Sequence, residues 1–204
     1  MKRTLYLILL LPLVFISCKR NGVGPGNDFA HTGDVVDTVS FQYGATHIGD
    51  TILLPMIGMD CALNGKLLSS DEWKAFFHEN NYTLVNFIRK EQCSVCIMKM
   101  IFWWDEFADK LGRDNIDYCF IVHPDDIYSL DELVSELNKV YFSFPVFFDF
   151  QGLFIDANGF YGNKEMPDCV LLDKDRRIIA IGSTEAPSKM RKEFKVIVGE
   201  ASQK

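Results

Sequence analysis

Apolar and polar positions fall into short, distinct blocks along most of the chain. Leu84, Val85, Phe87 and Ile88 form an apolar run that stops at the charged stretch Arg89-Lys90-Glu91-Gln92. That is the pattern of a buried strand followed by a turn. After the turn the period changes. Ile97, Met100/Ile101, Trp104, Phe107/Ala108 and Leu111 recur at steps of three and four and predict one continuous helix. Gly112 stands where a left-handed residue ends a helix. Residues 116–123 form a second apolar run, with Cys119 in its middle and Pro124 at its end. A helical stripe follows through Ile127, Leu130, Leu133/Val134, Leu137 and Val140/Tyr141, with Ser129 and Glu132 spaced as a capping box. A helix between two strands implies a crossover and a parallel pair.

Downstream, residues 144–150 read as extended and residues 151–160 as a short helix or turn. Residues 165–172 and 177–181 flank the turn Asp173-Lys174-Asp175-Arg176 and predict a β-hairpin. A last helix opens at Pro187 and carries Met190, Phe194 and Ile197/Val198 on one face. Upstream the signals are weaker. Residues 35–36, 39–41 and 52–54 suggest one or two edge strands, punctuated by Gly44, Gly49 and Pro55. Asn64-Gly65, just after Cys61, is a hairpin signal. A helix capped by Ser69 or Ser70 runs to His78, which reads as a solvated surface residue.

The first residues have a different character. Lys2 and Arg3 precede an apolar stretch at 5–16, too short to span a bilayer, so residues 1–17 read as an export signal. Residues 19–33 are rich in Gly and Asn and read as a flexible tether. Residues 34–204 have the length and apolar content of one domain, with its core at about 52–198. The chain has 21 basic and 28 acidic residues, and loss of Lys2 and Arg3 with the signal leaves 19 basic ones. An acidic domain without a basic cluster argues against nucleic acid and against attraction to anionic lipid.

The candidate chemistry is Cys93-Ser94-Val95-Cys96, at the junction of the first core strand and the helix. Cys93 would stand at the N-terminal edge of the helix, where unpaired N–H groups and the helix dipole stabilise a thiolate. The thiolate is the species that attacks a disulfide, and the second thiol would resolve the mixed disulfide. Arg89, Lys90 and Lys99 add positive charge nearby. A redox-active dithiol, a metal site and a structural pair all fit a bare Cys-x-x-Cys. A closed zinc site needs a second short-spaced pair, and Cys61, Cys119, Cys169, His47, His78 and His123 do not supply one. Placement at a strand-to-helix junction favours the redox reading. Outside the cytosol disulfides persist. Five cysteines besides Cys18 would remain after export, an odd number, so at least one is a free thiol. Cys119 reads as a small buried apolar side chain, and Cys169 as either that or an auxiliary thiol.

Two resemblances extend this reading. Cys18 directly after the apolar stretch resembles a bacterial lipoprotein signal, with Phe15 and Ile16 departing from the usual residues. This implies lipidation at Cys18 and a domain anchored to a membrane in the cell envelope. Lys19-Arg20 carry no acidic surface-export signal, which implies a periplasm-facing domain. Over residues 52–198 the chain resembles the TlpA-like branch of the thioredoxin-like superfamily. The resemblance rests on Asn64-Gly65-Lys66, Leu84-Val85-Asn86-Phe87, Cys93-Ser94-Val95-Cys96, Phe144-Pro145-Val146 with Asp149, and Met166-Pro167 followed by Leu171-Leu172-Asp173-Lys174-Asp175. Gln92 and Lys99 replace an aromatic residue and a Glu common there, and the turn before Cys93 is one residue longer.

That resemblance implies an α/β thioredoxin-like fold: a central mixed β-sheet flanked by helices, with an N-terminal strand or hairpin extension. It implies a thiol-disulfide oxidoreductase with Cys93 as nucleophile, Cys96 as resolving thiol, and no cofactor or metal. Met166 and a cis Pro167 would bind substrate opposite the dithiol. The partners would be exported thiol or disulfide proteins and a redox protein that recycles the dithiol. Two other classes compete: a non-catalytic binding domain on a lipid anchor, and a thiol peroxidase. The latter needs a Thr or Ser three residues before the reactive Cys, where this chain has Lys90.

Overall fold

A computed structural model describes residues 46–78, 80–159, 167–184 and 187–201. The expected signal at 1–17, the tether with Cys18, the strand signals at 35–36 and 39–41, and Met166 lie outside these residues. Within them the chain builds a seven-stranded mixed sheet. Its centre is β3 (Tyr82–Ile88), parallel to β4 (Ile116–Val122) on one side. On the other side β3 is antiparallel to β6 (Cys169–Asp173), which forms the expected hairpin with β7 (Ile178–Gly182). Beyond β4 lies the parallel β5 (Val146–Phe148), then β1 (Asp60–Leu63) and β2 (Lys66–Leu68), both pairs antiparallel. Every residue of β4 is buried, as is β3 from Leu84 on, because helices or loops cover both faces. Their near-continuous apolar sequences follow from that.

Strand alternation sorts the core into two layers. On one face Leu84, Phe120 and Leu171 meet Met98, Trp104 and Phe107. These come from α2 (Ser94–Met98) and α3 (Trp103–Leu111). The same layer takes in Leu133 and Leu137 of α4 (Leu130–Asn138) and Met190 and Phe194 of α6 (Pro187–Ala201). On the other face Val85, Phe87, Cys119, Phe147 and Val170 meet Trp73 of α1 (Ser70–Lys74) and Phe154 of α5 (Leu153–Asn158). Phe147 has no exposed surface and packs edge-on against Trp73 with ring centroids 5.3 Å apart. Truncating such a phenylalanine costs about 3–5 kcal/mol. α1 and α4 start with capping boxes, Ser69 with Glu72 and Ser129 with Glu132.

Four expectations are corrected. The helix after Cys93 is broken into α2 and α3. Between them the N–H groups of Met100, Ile101, Trp103 and Trp104 donate to carbonyls three residues back. The buried side chains there, Met98, Ile101 and Trp104, are also spaced by three, which matches a 3₁₀ period rather than an α-helical one. Met100 is consequently exposed. Next, α1 ends at Lys74 rather than His78, because the Asp117 carboxylate captures the backbone N–H groups of His78 and Asn80 at 3.0 and 3.2 Å. Residues 52–54 form no strand. They lie along the β6–β7 turn, with Ile52 N–H donating to the Arg176 carbonyl at 2.9 Å and Thr51 bridging Arg177. Finally, Ile127 and Tyr141 lie outside the α4 stripe and are exposed.

The β1–β2 turn gives a direct test of register. Asn64 and Gly65 have φ values of 48° and 76°, the left-handed pair that a two-residue hairpin requires. A Cβ on Gly65 would lie 2.4 Å from Asn138 Cβ. Gly65→Ala should therefore lower unfolding stability by about 2 kcal/mol or more, from backbone strain plus overlap. Asn64→Gly keeps the backbone conformation but loses the Asn64 Oδ1 acceptor of the Phe142 N–H at 3.2 Å, so it should cost less, about 1 kcal/mol. Urea unfolding of the two variants separates these outcomes, and equal midpoints would contradict the turn geometry.

Candidate active site

The central strand delivers the two cysteines. β3 ends at Ile88, and Arg89–Gln92 turn the chain. The turn closes on itself: Gln92 N–H donates to the Arg89 carbonyl at 3.0 Å, and Arg89 N–H donates to Gln92 Oε1 at 2.9 Å. Gln92 thus has a local role as a turn lock. Cys93 then caps α2 with an extended backbone. Its sulfur accepts the Cys96 N–H at 3.3 Å, and its carbonyl accepts the Ile97 N–H at 3.0 Å.

Cys93 and Cys96 are joined as a disulfide with their Cα atoms 5.2 Å apart. Both cysteines are exposed, while Ser94 between them is fully buried. The Ser94 Oγ has no hydrogen-bond partner. The start of α2 is therefore rotated so that the hydroxyl points inward and both sulfurs point outward.

The second chain segment at the site arrives with β6. Asn86 pairs with Cys169, and the residues just ahead of Cys169 approach the end of β3. Phe87 N–H donates to the Asp168 carbonyl at 2.8 Å, and Asn86 Nδ2 donates to the same oxygen at 3.1 Å. The Asp168 carboxylate pairs with the Arg89 guanidinium at 3.1 Å and accepts the Thr184 hydroxyl at 3.2 Å. Pro167 is buried at the head of this segment. No peptide bond among the described residues is cis. The Met166–Pro167 bond, expected to be cis, includes a residue outside them.

Between these two segments lies a groove of about 490 Å³. Phe87, Ile97, Met100, Trp103 and Pro187 give it apolar walls, and Asn86, Gln92, Asp168 and Thr184 its polar atoms. The groove was not anticipated from the sequence. The available signal was Met100 and Trp103, large apolar residues that fall off the buried stripe. Of the three nearby cations, Arg89 and Lys90 are engaged by carboxylates, Lys90 with Asp126. Lys99 is exposed at the C-cap of α2.

The remaining described thiols are free and buried. Burial pushes the Cys61 thiol up to about 12 and raises those of Cys119 and Cys169, with the Asp168 charge adding to the rise at Cys169. Cys119 Sγ lies 3.7 Å from Met56 Sδ in the layer opposite the dithiol. Cys169 shares the dithiol's face of the sheet but lies in the core. His78 is exposed. Among the described residues no three His, Cys, Asp or Glu side chains are grouped to hold a metal ion, and no helix is long and apolar enough to cross a membrane.

No family model matches the sequence, and no curated protein matches it. Solved structures do. One is a candidate protein disulfide isomerase of Bacteroides thetaiotaomicron, with a TM-score of 0.51 and 13% identity over 78% of this chain and 94% of that one. A candidate thiol:disulfide interchange protein DsbE of Chlorobium tepidum gives 0.48 and 13% over 74% and 97%. A thioredoxin-like protein solved in its oxidised form gives 0.44 and 19% over 75% and 97%. The likeness to the Bacteroides protein, at 13% identity, concerns the fold alone, which is thioredoxin-like: a central mixed sheet flanked by helices.

After reduction of the native protein, iodoacetamide should label Cys93 and Cys96 and leave Cys61, Cys119 and Cys169 unmodified until the chain is unfolded. Mass spectrometry reads this directly, and native labelling of any of the three buried thiols would contradict their placement. Burial also has a pH signature. The Cys61 thiol ionises at its ordinary value of 9.0 when unfolded and at about 12 when folded. The stability tied to it is present below pH 9 and is lost as pH rises from about 9 towards 12. Cys61→Ala should flatten that alkaline decline in urea titrations.

Proposed function

We propose that the protein is a thiol-disulfide oxidoreductase working through Cys93 and Cys96. The observation that carries this reading is an exposed Cys93–Cys96 disulfide at the end of the central strand of a thioredoxin-like fold. Exposure does not rank the two sulfurs, but hydrogen bonding does: the Cys96 N–H points at Cys93 Sγ and would stabilise a thiolate there.

In the reducing direction the Cys93 thiolate attacks one sulfur of a client disulfide. A Cys93–client disulfide forms, and the other client sulfur leaves as a thiolate that takes up a proton. Cys96, deprotonated, then attacks Cys93 Sγ. The Cys93–Cys96 disulfide forms and the second client thiolate is released. Two electrons pass to the client. The same steps reversed oxidise a client dithiol. The disulfide itself supplies the electron acceptor, so no metal or organic cofactor enters.

The partners are exported proteins carrying thiols or disulfides, together with a redox protein that recycles the dithiol. The acidic balance argues against nucleic acid as a partner. Met166 and Pro167 belong to the client-binding side, a reading supported by Asp168, next to Pro167, which lines the groove with Gln92 and Ile97. Lipidation at Cys18 anchors the domain in the cell envelope, facing the periplasm. That placement is supported by the Lys2-Arg3 start, the short apolar stretch and the Gly/Asn-rich segment after Cys18. Fractionation of Cys18→Ala tests it, and a variant that stays fully membrane-bound would refute the lipid anchor.

The decisive experiment is trapping. Cys96→Ala should accumulate mixed disulfides with clients through Cys93, and Cys93→Ala should accumulate few. Insulin reduction should fall at least about 100-fold in Cys93→Ala. Equal trapping by both variants would reverse the assignment of nucleophile. Absence of thiol exchange by the unmutated protein would favour a binding domain, and thiol-dependent peroxide consumption would favour a peroxidase.

A further inference from the structure

Charged groups around the dithiol come mostly in exposed pairs or alone. Lys90 reaches Asp126 on the surface ahead of α4. Glu91 and Lys99 are exposed. His123, at the end of β4, holds the Asp149 carbonyl through Nδ1 at 2.6 Å. Lys189, in the first turn of α6, lies 3.9 Å from Glu193. Contacts of this exposed kind are weak and screened by salt.

The Arg89–Asp168 pair is different. Its side chains are only 29% and 16% exposed, and its atoms lie 3.1 Å apart. Its location matters as much as its burial. Asp168 lines the same groove as Gln92 and Ile97, the residues immediately before Cys93 and after Cys96. Arg89 opens the turn that leads to Cys93, and its N–H is held by the Gln92 side chain. The pair therefore ties the turn that leads into Cys93 to the segment just ahead of β6, at the groove beside the dithiol turn.

We propose that the Arg89–Asp168 pair tunes the dithiol electrostatically: the guanidinium favours the thiolate, the carboxylate opposes it, and the matched pair holds thiolate population between the two extremes. This rests on the reading of Cys93 and Cys96 as the exchanging pair. A nearby charge shifts the ionisation of a neighbouring group in a direction fixed by its sign. Losing the Arg89 charge leaves the Asp168 carboxylate without that cation at the groove and disfavours the thiolate. Losing the Asp168 charge leaves the guanidinium uncompensated by it and favours the thiolate. A merely structural clasp behaves otherwise. Either lesion would loosen the segment at 167–169, and both would move the thiols the same way.

The test is the pH dependence of Cys93 alkylation by iodoacetamide in the reduced protein, for Arg89→Gln, Arg89→Lys, Asp168→Asn and the double variant R89Q/D168N. At pH 7 the rate should be about three- to tenfold lower in Arg89→Gln and about three- to tenfold higher in Asp168→Asn. Arg89→Lys keeps the charge and should stay close to the unmutated protein, as should the double variant. Shifts of the same sign in Arg89→Gln and Asp168→Asn would overturn the proposal, and so would an Arg89→Lys effect as large as that of Arg89→Gln. If Arg89→Gln does not fold, Asp168→Asn still decides: its amide oxygen can accept from Thr184 and Arg89, and an unchanged or slower rate there overturns the idea. Insulin reduction measured alongside keeps the two readings apart. Opposite shifts without any disulfide exchange would leave the tuning intact and sink the oxidoreductase assignment.

Discussion

The antiparallel join between β3 and β6 is the constraint on which the rest of the site depends. β3 fixes where Cys93 emerges, and β6 fixes where Pro167 and Asp168 return. The two strands are held in register through Asn86 opposite Cys169. The register is locked one step beyond by Phe87 N–H and Asn86 Nδ2, both on the Asp168 carbonyl. Asn86 is almost fully buried, so its amide is satisfied by backbone rather than by water. A shift of one residue would move Leu84 and Val85 into each other's layers and break both cores at once. The site thus takes its geometry from packing on two faces of one strand, not from the exposed residues that would meet a client.

Burial also divides the cysteines by role. Three thiols are pressed into the two core layers, where losing solvent keeps them protonated and chemically quiet. Among the described cysteines only the pair at the strand end is presented outward. The buried cysteines behave as compact apolar side chains, and Cys119 meets another sulfur, Met56 Sδ. Selectivity among the five described cysteines is then a matter of depth and needs no special partner at each one.

Much of this was legible in the sequence wherever one physical cause dominated. The runs at 84–88 and 116–122 became β3 and β4 because strands covered on both faces leave little room for polar residues. Asn64-Gly65 and the Ser129/Glu132 capping box were legible because backbone chemistry there is local. The helix break at 98–103 was not. Apolar steps of three and of four can both be drawn through Ile97, Met98, Met100 and Ile101, and packing decides which face is buried. Nor was the groove legible, since it needs Thr184 and Pro187 from one end of the chain beside Met100 and Trp103 from the middle. The Arg89–Asp168 pair spans 79 residues of sequence, and no short-range pattern announces it.

The 3₁₀ interruption gives the dithiol segment a thermal life of its own. α2 has five residues, far below the dozen or so that a free helix needs to persist. It is joined to α3 through bonds of the weaker i→i−3 type rather than by a continuous ladder. Its anchorage in the core comes chiefly from Met98 and from Ser94, whose hydroxyl brings no hydrogen bond. The segment is therefore a small unit that opens independently of the sheet beneath it, at a free energy well below that of global unfolding. The sulfurs ride on a short segment next to a strand buried on both faces. This lets one cysteine swing towards a partner without disturbing the register that aims it.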